Sequence, residues 1–483
     1  MKTIVEQIFS NGADHPEKIA LVNGKRELSY KDLLNGILFA RKQLHEKYGL
    51  TKGDAAIVAA DKQIEFVFVY FACHLLGVTA LPIAPDTNQK RYELIKSKTK
   101  PSLIIGFEKV SGDDHTVALC EFQGAMEGCN DSAIIFPEMD DVADIIFTTG
   151  TTGEPKGVLL SHRNIAAAAH NINTFIRNDA VDVEMLALPI SHSFGIGRMR
   201  CALSNCQTLV MLGSFVNVKR FFRYMKEYGV TGFGMVPASW ALLKKLSGEE
   251  IERFKNQLHY IEIGSAPMPL PEKKLLAKLL PYTRICMHYG LTEASRSAFI
   301  EFHQEKDYLM TVGKQSPNMY ISIKNEHGED VPVGDEGEIC VKGEAVTGGY
   351  LGLARDEFFW GDYFRTGDWG SLAPDGYITL RSRKKELINV GGKKVSPMEV
   401  EEVLMELDFV KDCACKPIAD PEKILGEVVK AYIVTDHPEK VVFEDIDRSI
   451  GKSLEGYKHP VEYAVIDEIP KTASGKVQRL LLP

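Results

Sequence analysis

The amino-acid sequence predicts an α/β protein with more than one domain. Its 483 residues exceed what a single hydrophobic core usually organises. From about residue 30 to about residue 300, short apolar strands alternate with helical patterns, which is typical of doubly wound parallel sheets covered by helices. The pattern changes near Val312 and again near Lys385. We therefore expect a large α/β part, a small antiparallel barrel or sandwich, and a small α+β domain.

The predicted elements of the first part are apolar runs bounded by turn residues. A helix over residues 63–76 and a second over residues 218–228 show helical spacing of apolar side chains. The predicted strands are residues 55–59, 78–83, 102–106, 145–147, 185–188, 208–212, 260–263 and 285–289.

One apolar stretch, residues 66–84, approaches the length of a membrane-spanning helix. Gly77 and Pro82 interrupt it, and Gly77 stands where the helix over residues 63–76 would end. We therefore predict a buried helix-turn-strand unit rather than a membrane span.

The two later parts of the chain have different patterns. Strands over residues 320–324 and 337–342 flank a polar turn, as in an antiparallel barrel. In the last part, a helix over residues 399–407 precedes strands over residues 413–417 and 428–434. The predicted domains are residues 1–384, with α/β subdomains to about 305 and a β-barrel subdomain over about 306–384, and residues 385–483.

Composition and charge exclude several classes of protein. Apolar residues make up 45% and charged residues 25%, the balance of an ordinary folded protein. The net charge of −9 gives no excess positive field, so we expect no nucleic-acid partner. The nine cysteines lack the spacing of a zinc site, and residues 1–10 lack a basic start and an apolar run. We expect reduced thiols in a cytoplasmic protein.

Residues 144–157 carry the strongest chemical signal. A hydrophobic strand runs into a loop of hydroxyls, glycines and one lysine, which offers donors and a positive charge to a polyphosphate. It is not a Walker A loop, because Pro155 replaces the second glycine and Gly157 follows Lys156. The alternative is a plain Thr/Gly turn between a strand and a helix.

Five further blocks follow this loop in order. Together with it, they resemble the adenylate-forming superfamily of acyl-CoA synthetases, adenylation domains and beetle luciferases, and the pattern is closest to a bacterial-type acyl-CoA ligase. The resemblance covers nearly the whole chain and implies a mobile C-terminal domain. The blocks are residues 289–293, 363–368, 383–386, 391–399 and 470–476.

The resemblance implies an ATP and Mg²⁺ site. A hard divalent ion prefers oxygen ligands, so Glu293 and Thr148 are implied to hold Mg²⁺; an ordinary exposed acid is the alternative for Glu293. Asp368 is implied to accept hydrogen bonds from both ribose hydroxyls. The implied ATP-binding residues are Thr148, Thr149, Gly150, Thr151, Thr152, Lys156, Ser265, Ala266, Pro267, His288, Tyr289, Gly290, Thr292, Asp368, Arg383 and Lys476.

The implied acyl site begins where residues 189–195 follow a strand and open a helix. His192 is implied to gate it, although a lone histidine near an apolar segment is more often a satisfied core residue. Residues 191–194 contain no carboxylate to pair an α-ammonium group, which disfavours an α-amino acid as substrate. The implied acyl-binding residues are His192, Phe194, Met235, Val236 and Gly264.

Arg198 has two interpretations. It lies four residues after Phe194 and would share its helix face. In the acyl pocket it would suit an acid with a second carboxylate or another distal anion. The favoured alternative is a snorkelling surface residue or an interdomain residue.

The resemblance implies that the C-terminal domain moves between two half-reactions. Lys476 would reach the carboxylate and ribose oxygens during adenylation and leave when the domain rotates about the hinge residue Lys385. Gly391 and Gly392 would let a pantetheine arm pass, and Lys393 would meet its phosphates. Lys156, His192 and Lys476 are the implied catalytic residues.

These features predict an ATP-dependent acid–thiol ligase. It would convert a small carboxylic acid to an acyl adenylate, release pyrophosphate, and pass the acyl group to the pantetheine thiol of CoA. An acyl carrier protein is the alternative acceptor. A catalytically silent nucleotide-binding or acyl-binding protein is the alternative of another class, which the retained Lys156, Glu293, Asp368 and Lys476 argue against.

Overall fold

The computed structural model describes residues 1–107, 116–124, 134–148, 155–471, 475 and 477–483. These residues form two compact units. The first is Met1–Tyr320 with Val341–Phe364, and the second is Ile321–Cys340 with Arg365–Pro483. The domain boundary expected between residues 384 and 385 stays a prediction.

Eleven α-helices occur among the described residues. Two of them, which begin after Ser29 and Ser161, start with reciprocal hydrogen bonds between the capping serine and the third helical residue. The helices are α1 (Ile4–Asp14), α2 (Tyr30–Lys42), α3 (Ile64–Leu76), α4 (Gln89–Thr99), α5 (His162–Ile176), α6 (Ser193–Ser204), α7 (Val218–Glu227), α8 (Pro237–Ser247), α9 (Leu270–Leu279), α10 (Pro397–Leu404) and α11 (Phe443–Ile450).

The described part of the chain has twenty-six strands, most of them short. They are β1 (Ile19–Asn23), β2 (Arg26–Ser29), β3 (Ala55–Ala59), β4 (Thr79–Ile83), β5 (Leu103–Ile105), β6 (Thr116–Val117), β7 (Val142–Thr148), β8 (Lys156–Ser161), β9 (Val183–Leu186), β10 (Thr208–Met211), β11 (Gly232–Met235), β12 (Tyr260–Ile263), β13 (Arg284–Tyr289), β14 (Ala298–Glu301), β15 (Lys314–Gln315), β16 (Met319–Lys324), β17 (Glu336–Gly343), β18 (Gly349–Tyr350), β19 (Phe359–Trp360), β20 (Tyr363–Leu372), β21 (Ile378–Arg383), β22 (Ile388–Val390), β23 (Lys393–Val395), β24 (Asp412–Ala419), β25 (Glu427–Val434) and β26 (Glu462–Val465).

The first unit is built on two large sheets. The nine-stranded sheet has the order β15-β14-β13-β12-β11-β9-β10-β1-β2, and its strands from β13 to β1 are parallel. The seven-stranded sheet has the order β18-β8-β7-β4-β3-β5-β6, with a parallel centre and an antiparallel edge at β7, β8 and β18. The predicted doubly wound α/β class is confirmed, with antiparallel strands added at the sheet edges.

The later strands form three smaller sheets. One has the order β16-β17-β20-β19, with β21 paired to β20, and corresponds to the predicted antiparallel piece. In the second unit, β22 and β23 form a hairpin, and β24, β25 and β26 form a three-stranded sheet. Helices α10 and α11 pack on that sheet through the fully buried Val400, Leu404, Ile446 and Ile450. The expected small α+β fold is therefore present.

The apolar stretch after residue 63 is the predicted helix-turn-strand unit. Helix α3 ends at Gly77, whose φ of +70° suits a residue without a Cβ, and β4 follows. All side chains of α3 except that of Leu76 are buried. Among the described helices, none has both the length and the apolar character needed to cross a bilayer.

Candidate active site

Strands β7 and β8, on either side of the Thr/Gly-rich segment, pair antiparallel as the two arms of a hairpin. Thr148 lies opposite Lys156 in its register, so the element after the loop is a strand and the strand-to-helix turn is wrong. The register brings a hydroxyl and an ammonium group to the same end of the hairpin. Of the predicted phosphate ligands, Thr149, Gly150, Thr151 and Thr152 lie outside the described residues, and their role stays a prediction.

Lys156 packs against two aromatic rings near the carboxylate predicted to bind Mg²⁺. Its Nζ lies 4.4 Å from the centroid of the Phe358 ring and 5.1 Å from that of the Tyr350 ring. The Tyr350 hydroxyl donates a hydrogen bond to Glu293 Oε1 at 2.7 Å. Tyr350 therefore connects the predicted phosphate-binding lysine to the predicted metal ligand.

Glu293 lies in a tight turn after β13. A Cβ on Gly290 would lie 2.5 Å from the backbone nitrogen of Arg296, so only glycine fits at this position. Thr292 Oγ1 donates to Ser193 Oγ at 3.1 Å, which ties the turn to the start of α6. Glu293 is only 9% exposed, which contradicts the interpretation as an ordinary surface acid.

The oxygen donors here fit a magnesium ion. Mg²⁺ usually takes one or two carboxylates plus waters and phosphate oxygens. The buried Glu293 carboxylate, oriented by Tyr350, is a donor of this kind, and the Thr148 hydroxyl is the second ligand predicted from the sequence. Residues 1–107, 116–124, 134–148 and 155–471 contain no cluster of three or more His, Cys, Asp or Glu side chains suited to a softer metal.

The predicted acyl-binding residues meet at the carboxyl ends of the parallel strands. The Phe194 and His288 rings are nearly perpendicular, with centroids 4.7 Å apart. The His288 ring covers Gly264, where an added Cβ would lie 2.1 Å from its Nε2. Met235 at the end of β11 is fully buried, whereas Val236 is half-buried.

The remaining predicted residues of this region lie in loops and at element ends. His192 is exposed and caps the start of α6, so it is not a buried core residue. Ser265 follows β12 with a φ of +74°, a conformation uncommon outside glycine. Ala266 and Pro267 continue this turn, and Tyr289 and Gly290 close β13.

Arg198 belongs to a buried network of ion pairs beneath Phe194 and His288. Its Nε donates to Glu184 Oε1 at 2.8 Å and its Nη1 donates to Glu262 Oε2 at 3.1 Å. Arg198 is fully buried, so the surface interpretation is wrong. The interpretation as an anchor for a distal anion is wrong too, because two protein carboxylates already occupy the guanidinium.

The same network includes Arg296 and His288. Arg296 Nε donates to Glu262 Oε1 at 2.9 Å, and His288 Nδ1 lies 2.7 Å from that oxygen. Burial opposes the charge of Glu262, yet Arg296, His288 and Arg198 together hold its pKa well below the usual range. Burial lowers the pKa of His288, which keeps the imidazole neutral. Two arginines thus balance two glutamates without solvent.

A second buried network surrounds Arg200, two residues further along α6. Its Nε and Nη2 donate to the Tyr70 hydroxyl at 2.9 and 2.7 Å, and its Nη2 pairs with Asp144. The Tyr70 hydroxyl donates to Asp144 Oδ2 at 3.0 Å, and His74 Nε2 lies 3.1 Å from Asp144 Oδ1. Asp144 lies on β7, the strand that leads into the phosphate loop.

The two arginines hold α6 between the two large sheets of the first unit. Residues two apart on a helix point in nearly opposite directions. Arg198 reaches β9 and β12 of the nine-stranded sheet, whereas Arg200 reaches β7 of the seven-stranded sheet. These contacts set the position of α6, and hence of Ser193 and Phe194 at its start. In the sequence, the only feature that could have indicated these contacts was the presence of two arginines in a largely apolar helix.

The stability of the protein should fall as the pH is lowered from about 6.5 towards about 3, because burial and the charge of His74 lower the pKa of His162 to about 3. The unfolded chain binds a proton on this residue that the folded chain excludes, so the free energy of unfolding should drop by about 1.4 kcal/mol per pH unit. Urea unfolding at about pH 5.5 and about pH 4.5, which both lie between the two pKa values, measures this slope.

A histidine on the same helix provides the control. His162→Gln should reduce the slope, whereas His170→Gln, at an exposed position of α5, should leave it unchanged. Equal slopes for the native protein and the His162→Gln variant would contradict this assignment.

The second unit brings Asp368 and Arg383 together. They are cross-strand neighbours on β20 and β21, and Arg383 Nε lies 2.9 Å from Asp368 Oδ1. The Asp368 backbone N–H donates to Thr366 Oγ1, and Arg383 Nη1 donates to the Thr366 carbonyl. This arrangement orients a buried carboxylate acceptor, as recognition of a ribose diol requires.

Two family models match this chain. The model of AMP-binding enzymes covers residues 8–351, which is more than half of the chain. The chain belongs to the AMP-binding enzyme family. The model of the AMP-binding enzyme C-terminal domain covers residues 399–476. The resemblance inferred from the sequence blocks is thereby confirmed.

Relatives of this AMP-binding enzyme include CoA ligases of similar length. The 2-succinylbenzoate–CoA ligase of Bacillus licheniformis is 29% identical over 479 residues, covering 96% of each chain. The oxalate–CoA ligase of Arabidopsis thaliana is 27% identical and covers 97% of this chain and 95% of its own length.

A solved structure has the same fold and holds a reaction intermediate. The o-succinylbenzoate CoA synthetase of Bacillus subtilis, in complex with its acyl-adenylate intermediate, is 25% identical with a TM-score of 0.86, covering 98% of this chain and 97% of that one. Its complex with ATP and a magnesium ion is 26% identical with a TM-score of 0.85, covering 99% and 98%. The predicted architecture of a large α/β part and a C-terminal domain is confirmed.

The C-terminal part of this AMP-binding enzyme contains the predicted hinge and thiol-arm residues. Lys385 is exposed in a short turn after β21. Gly391 and Gly392 both have positive φ, as a two-residue hairpin turn between β22 and β23 requires. That geometry explains the glycines without a thiol arm. Lys393 is exposed, and its Nζ lies 4.4 Å from the centroid of the Tyr457 ring. Lys476 lies outside the described residues.

The structure shows several residues that the sequence patterns did not single out. Tyr350, Glu262 and Arg296 lie in no block used for the resemblance, and their importance depends on contacts between distant parts of the chain. A tyrosine in a Gly-Gly-Tyr turn was the one weak signal for Tyr350.

Proposed function

We propose that this AMP-binding enzyme is an ATP- and Mg²⁺-dependent acid–CoA ligase. The observation that carries the proposal is the connection from Lys156 through Tyr350 to the buried Glu293, at the end of the hairpin predicted to bind the phosphates. The relatives named CoA ligases and the acyl adenylate held by a protein of the same fold support it.

The reaction has two displacements. A carboxylate oxygen of the acid attacks the α-phosphorus of ATP, the bond to the oxygen bridging the α- and β-phosphorus breaks, and pyrophosphate leaves with that electron pair. The thiolate sulfur of CoA then attacks the acyl carbon, the bond from carbon to the AMP oxygen breaks, and AMP leaves. The thiol proton goes to solvent. Neither step requires a protein nucleophile, so the enzyme acts by positioning and by stabilising charge.

Each group of the site has a proposed part in the first displacement. Lys156 and the hairpin hydroxyls bind the phosphates, and Glu293 and Thr148 hold Mg²⁺. When bound, Mg²⁺ would neutralise charge on the phosphates. Asp368 accepts from the ribose hydroxyls, and Arg383 orients that carboxylate. Lys476 is proposed to reach the reacting oxygens, with Lys385 as the pivot of its domain.

The acid is proposed to bind between the start of α6 and the ends of β12 and β13. Phe194 and Gly264 form its walls, and His192 lies at the exposed entrance. In the second displacement, Gly391, Gly392 and Lys393 are proposed to receive the thiol arm of CoA. A cytoplasmic location is supported by the eight described cysteines, all of which are free thiols.

Two assays on the purified protein test the function. Acid-dependent exchange of labelled pyrophosphate into ATP reports the first displacement, and a thioester of free CoA reports the second. If the protein catalyses exchange and loads an acyl carrier protein but forms no CoA thioester, the acceptor is the carrier protein rather than CoA. Silence in exchange across a broad acid library would favour a binding protein without catalysis.

Asp368→Asn should raise the KM for ATP by about tenfold to a hundredfold, because the amide cannot accept from both ribose hydroxyls as the carboxylate can, and a hydrogen bond to a charged group contributes about 1.5–3 kcal/mol. The KM for the acid should change much less. Asp362→Asn provides the control, since Asp362 is an exposed partner of Lys342. Equal rises in both KM values would contradict the ribose assignment.

A further inference from the structure

The predicted acyl site has little depth. A side chain next to a cavity large enough for one water molecule keeps some solvent-accessible area. Met235 has none, so no such cavity lies beside it. Phe194 is 6% exposed and Gly264 is buried. Any space that an acid could enter at these residues must therefore lie on their outer side, where His192 is exposed.

Gly264 and Gly234 have no side chains and could leave room for a deeper site, but the side chains of other residues cover both of them. The His288 ring lies against Gly264, and the edge of Phe194 and the Arg198 stem lie against Gly234, where an added Cβ would meet them at 3.2 and 3.3 Å. The perpendicular rings of Phe194 and His288, here called the Phe194–His288 layer, therefore close the inner end of the site.

The buried ion pairs lie directly behind this layer. Arg198, Glu184 and Glu262 have no exposed side-chain surface, and both Arg296 and the His288 ring of the layer contact Glu262. An acyl tail that passed the layer would have to separate these charges without water to replace their partners, which is strongly unfavourable.

The charges of this network are already balanced. Glu184 and Glu262 face the guanidinium groups of Arg198 and Arg296, and burial disfavours a charge on His288. A distal carboxylate on the acid would add a third anion to two anions and two cations, without water to solvate it. Its binding would therefore be unfavourable.

We infer that the acid activated by this enzyme is short and has an uncharged tail, that is, a small aliphatic monocarboxylic acid. The inference rests on the proposed function, and it limits the substrate by the position of the Phe194–His288 layer and the charges behind it.

Pyrophosphate exchange with a panel of acids tests the inference. The panel contains acetate, propionate, butyrate, octanoate, benzoate and succinate. The best short acid should exceed octanoate, benzoate and succinate in kcat/KM by at least about tenfold, the smallest factor expected when one group fails to fit a closed pocket.

The possible outcomes separate the inference from the function. If octanoate or benzoate is preferred, the inference that the acid is short is wrong. If succinate is preferred, the inference that its tail is uncharged is wrong. Both results leave the proposed ligase function intact. Silence with every acid of the panel and of a broader library contradicts the proposed function, and the inference falls with it.

Truncation of the layer gives a second test. Phe194→Ala should raise the ratio of octanoate to butyrate activity by at least about tenfold, because it opens space in front of Arg198. Phe221→Ala is the control, since Phe221 lies on α7 and is fully buried against Phe233, in a core cluster that contains neither Phe194 nor His288. It should lower stability and keep the order of acids. If the folded Phe194→Ala variant, or the milder Phe194→Leu variant, prefers the acids in the same order as the native protein, the inference is wrong.

Discussion

Glu293→Gln is expected to lower the rate of acid-dependent pyrophosphate exchange by about a hundredfold to a thousandfold, the loss typical of removing one preorganised charge-stabilising group. The amide keeps the size of the side chain and still accepts from the Tyr350 hydroxyl, but it gives Mg²⁺ no negative charge. Exchange rates measured over rising Mg²⁺ concentration should show a weaker apparent affinity for the ion.

Two variants serve as controls for Glu293. Glu344→Gln changes a half-exposed carboxylate paired with Arg163 and should keep full activity. Tyr350→Phe keeps the ring beside Lys156 and removes the hydrogen bond to Glu293, so we expect a loss of about tenfold. Full activity of a folded Glu293→Gln would rule out Glu293 as the metal ligand.

Arg198→Met is expected to lower the free energy of unfolding by about 3–5 kcal/mol, the range for removing one partner from a buried ion pair. Methionine fills much of the volume, so the loss arises mainly from the uncompensated charge of Glu184, since Glu262 keeps Arg296 as a partner. Urea unfolding followed by tryptophan fluorescence and circular dichroism measures the change.

The cause of that loss can be separated from lost packing. Adding Glu184→Gln to Arg198→Met should restore part of the stability, because it removes the anion left without a guanidinium and keeps Glu262 paired with Arg296. Arg163→Met, at an exposed ion pair with Asp140, should change little. If Arg198→Met unfolds like the native protein, the buried network does not stabilise the first unit.

Local sequence patterns predicted the elements well where an apolar run has clear boundaries. Strands β3 and β12 begin and end where they were predicted, and α3 differs by one residue at its start. These boundaries are set by glycine, proline and polar residues next to the run. The pairing of β7 with β8 was missed, because the second strand follows a loop whose composition also suits a helix start.

The sequence by itself determined which chemical groups are proposed to bind the nucleotide. Thr148 and Lys156 flank one loop, and Thr292 and Glu293 are neighbours in one turn, so their spacing along the chain is informative. Asp368 and Arg383 are separated by one hairpin, which also keeps them close. Groups that act together within such short segments can be recognised from residue order alone.

Only the tertiary structure decided what Arg198 and Arg200 do. Their partners lie on strands of two different sheets, with Asp144 56 residues and Glu262 64 residues away along the chain. The same side chains would be solvated on an exposed helix, and it is the packing of α6 between the sheets that removes water and makes each carboxylate necessary. The inferred depth of the proposed acyl site depends on the same packing, because the position of the Phe194–His288 layer depends on strands far apart in the sequence.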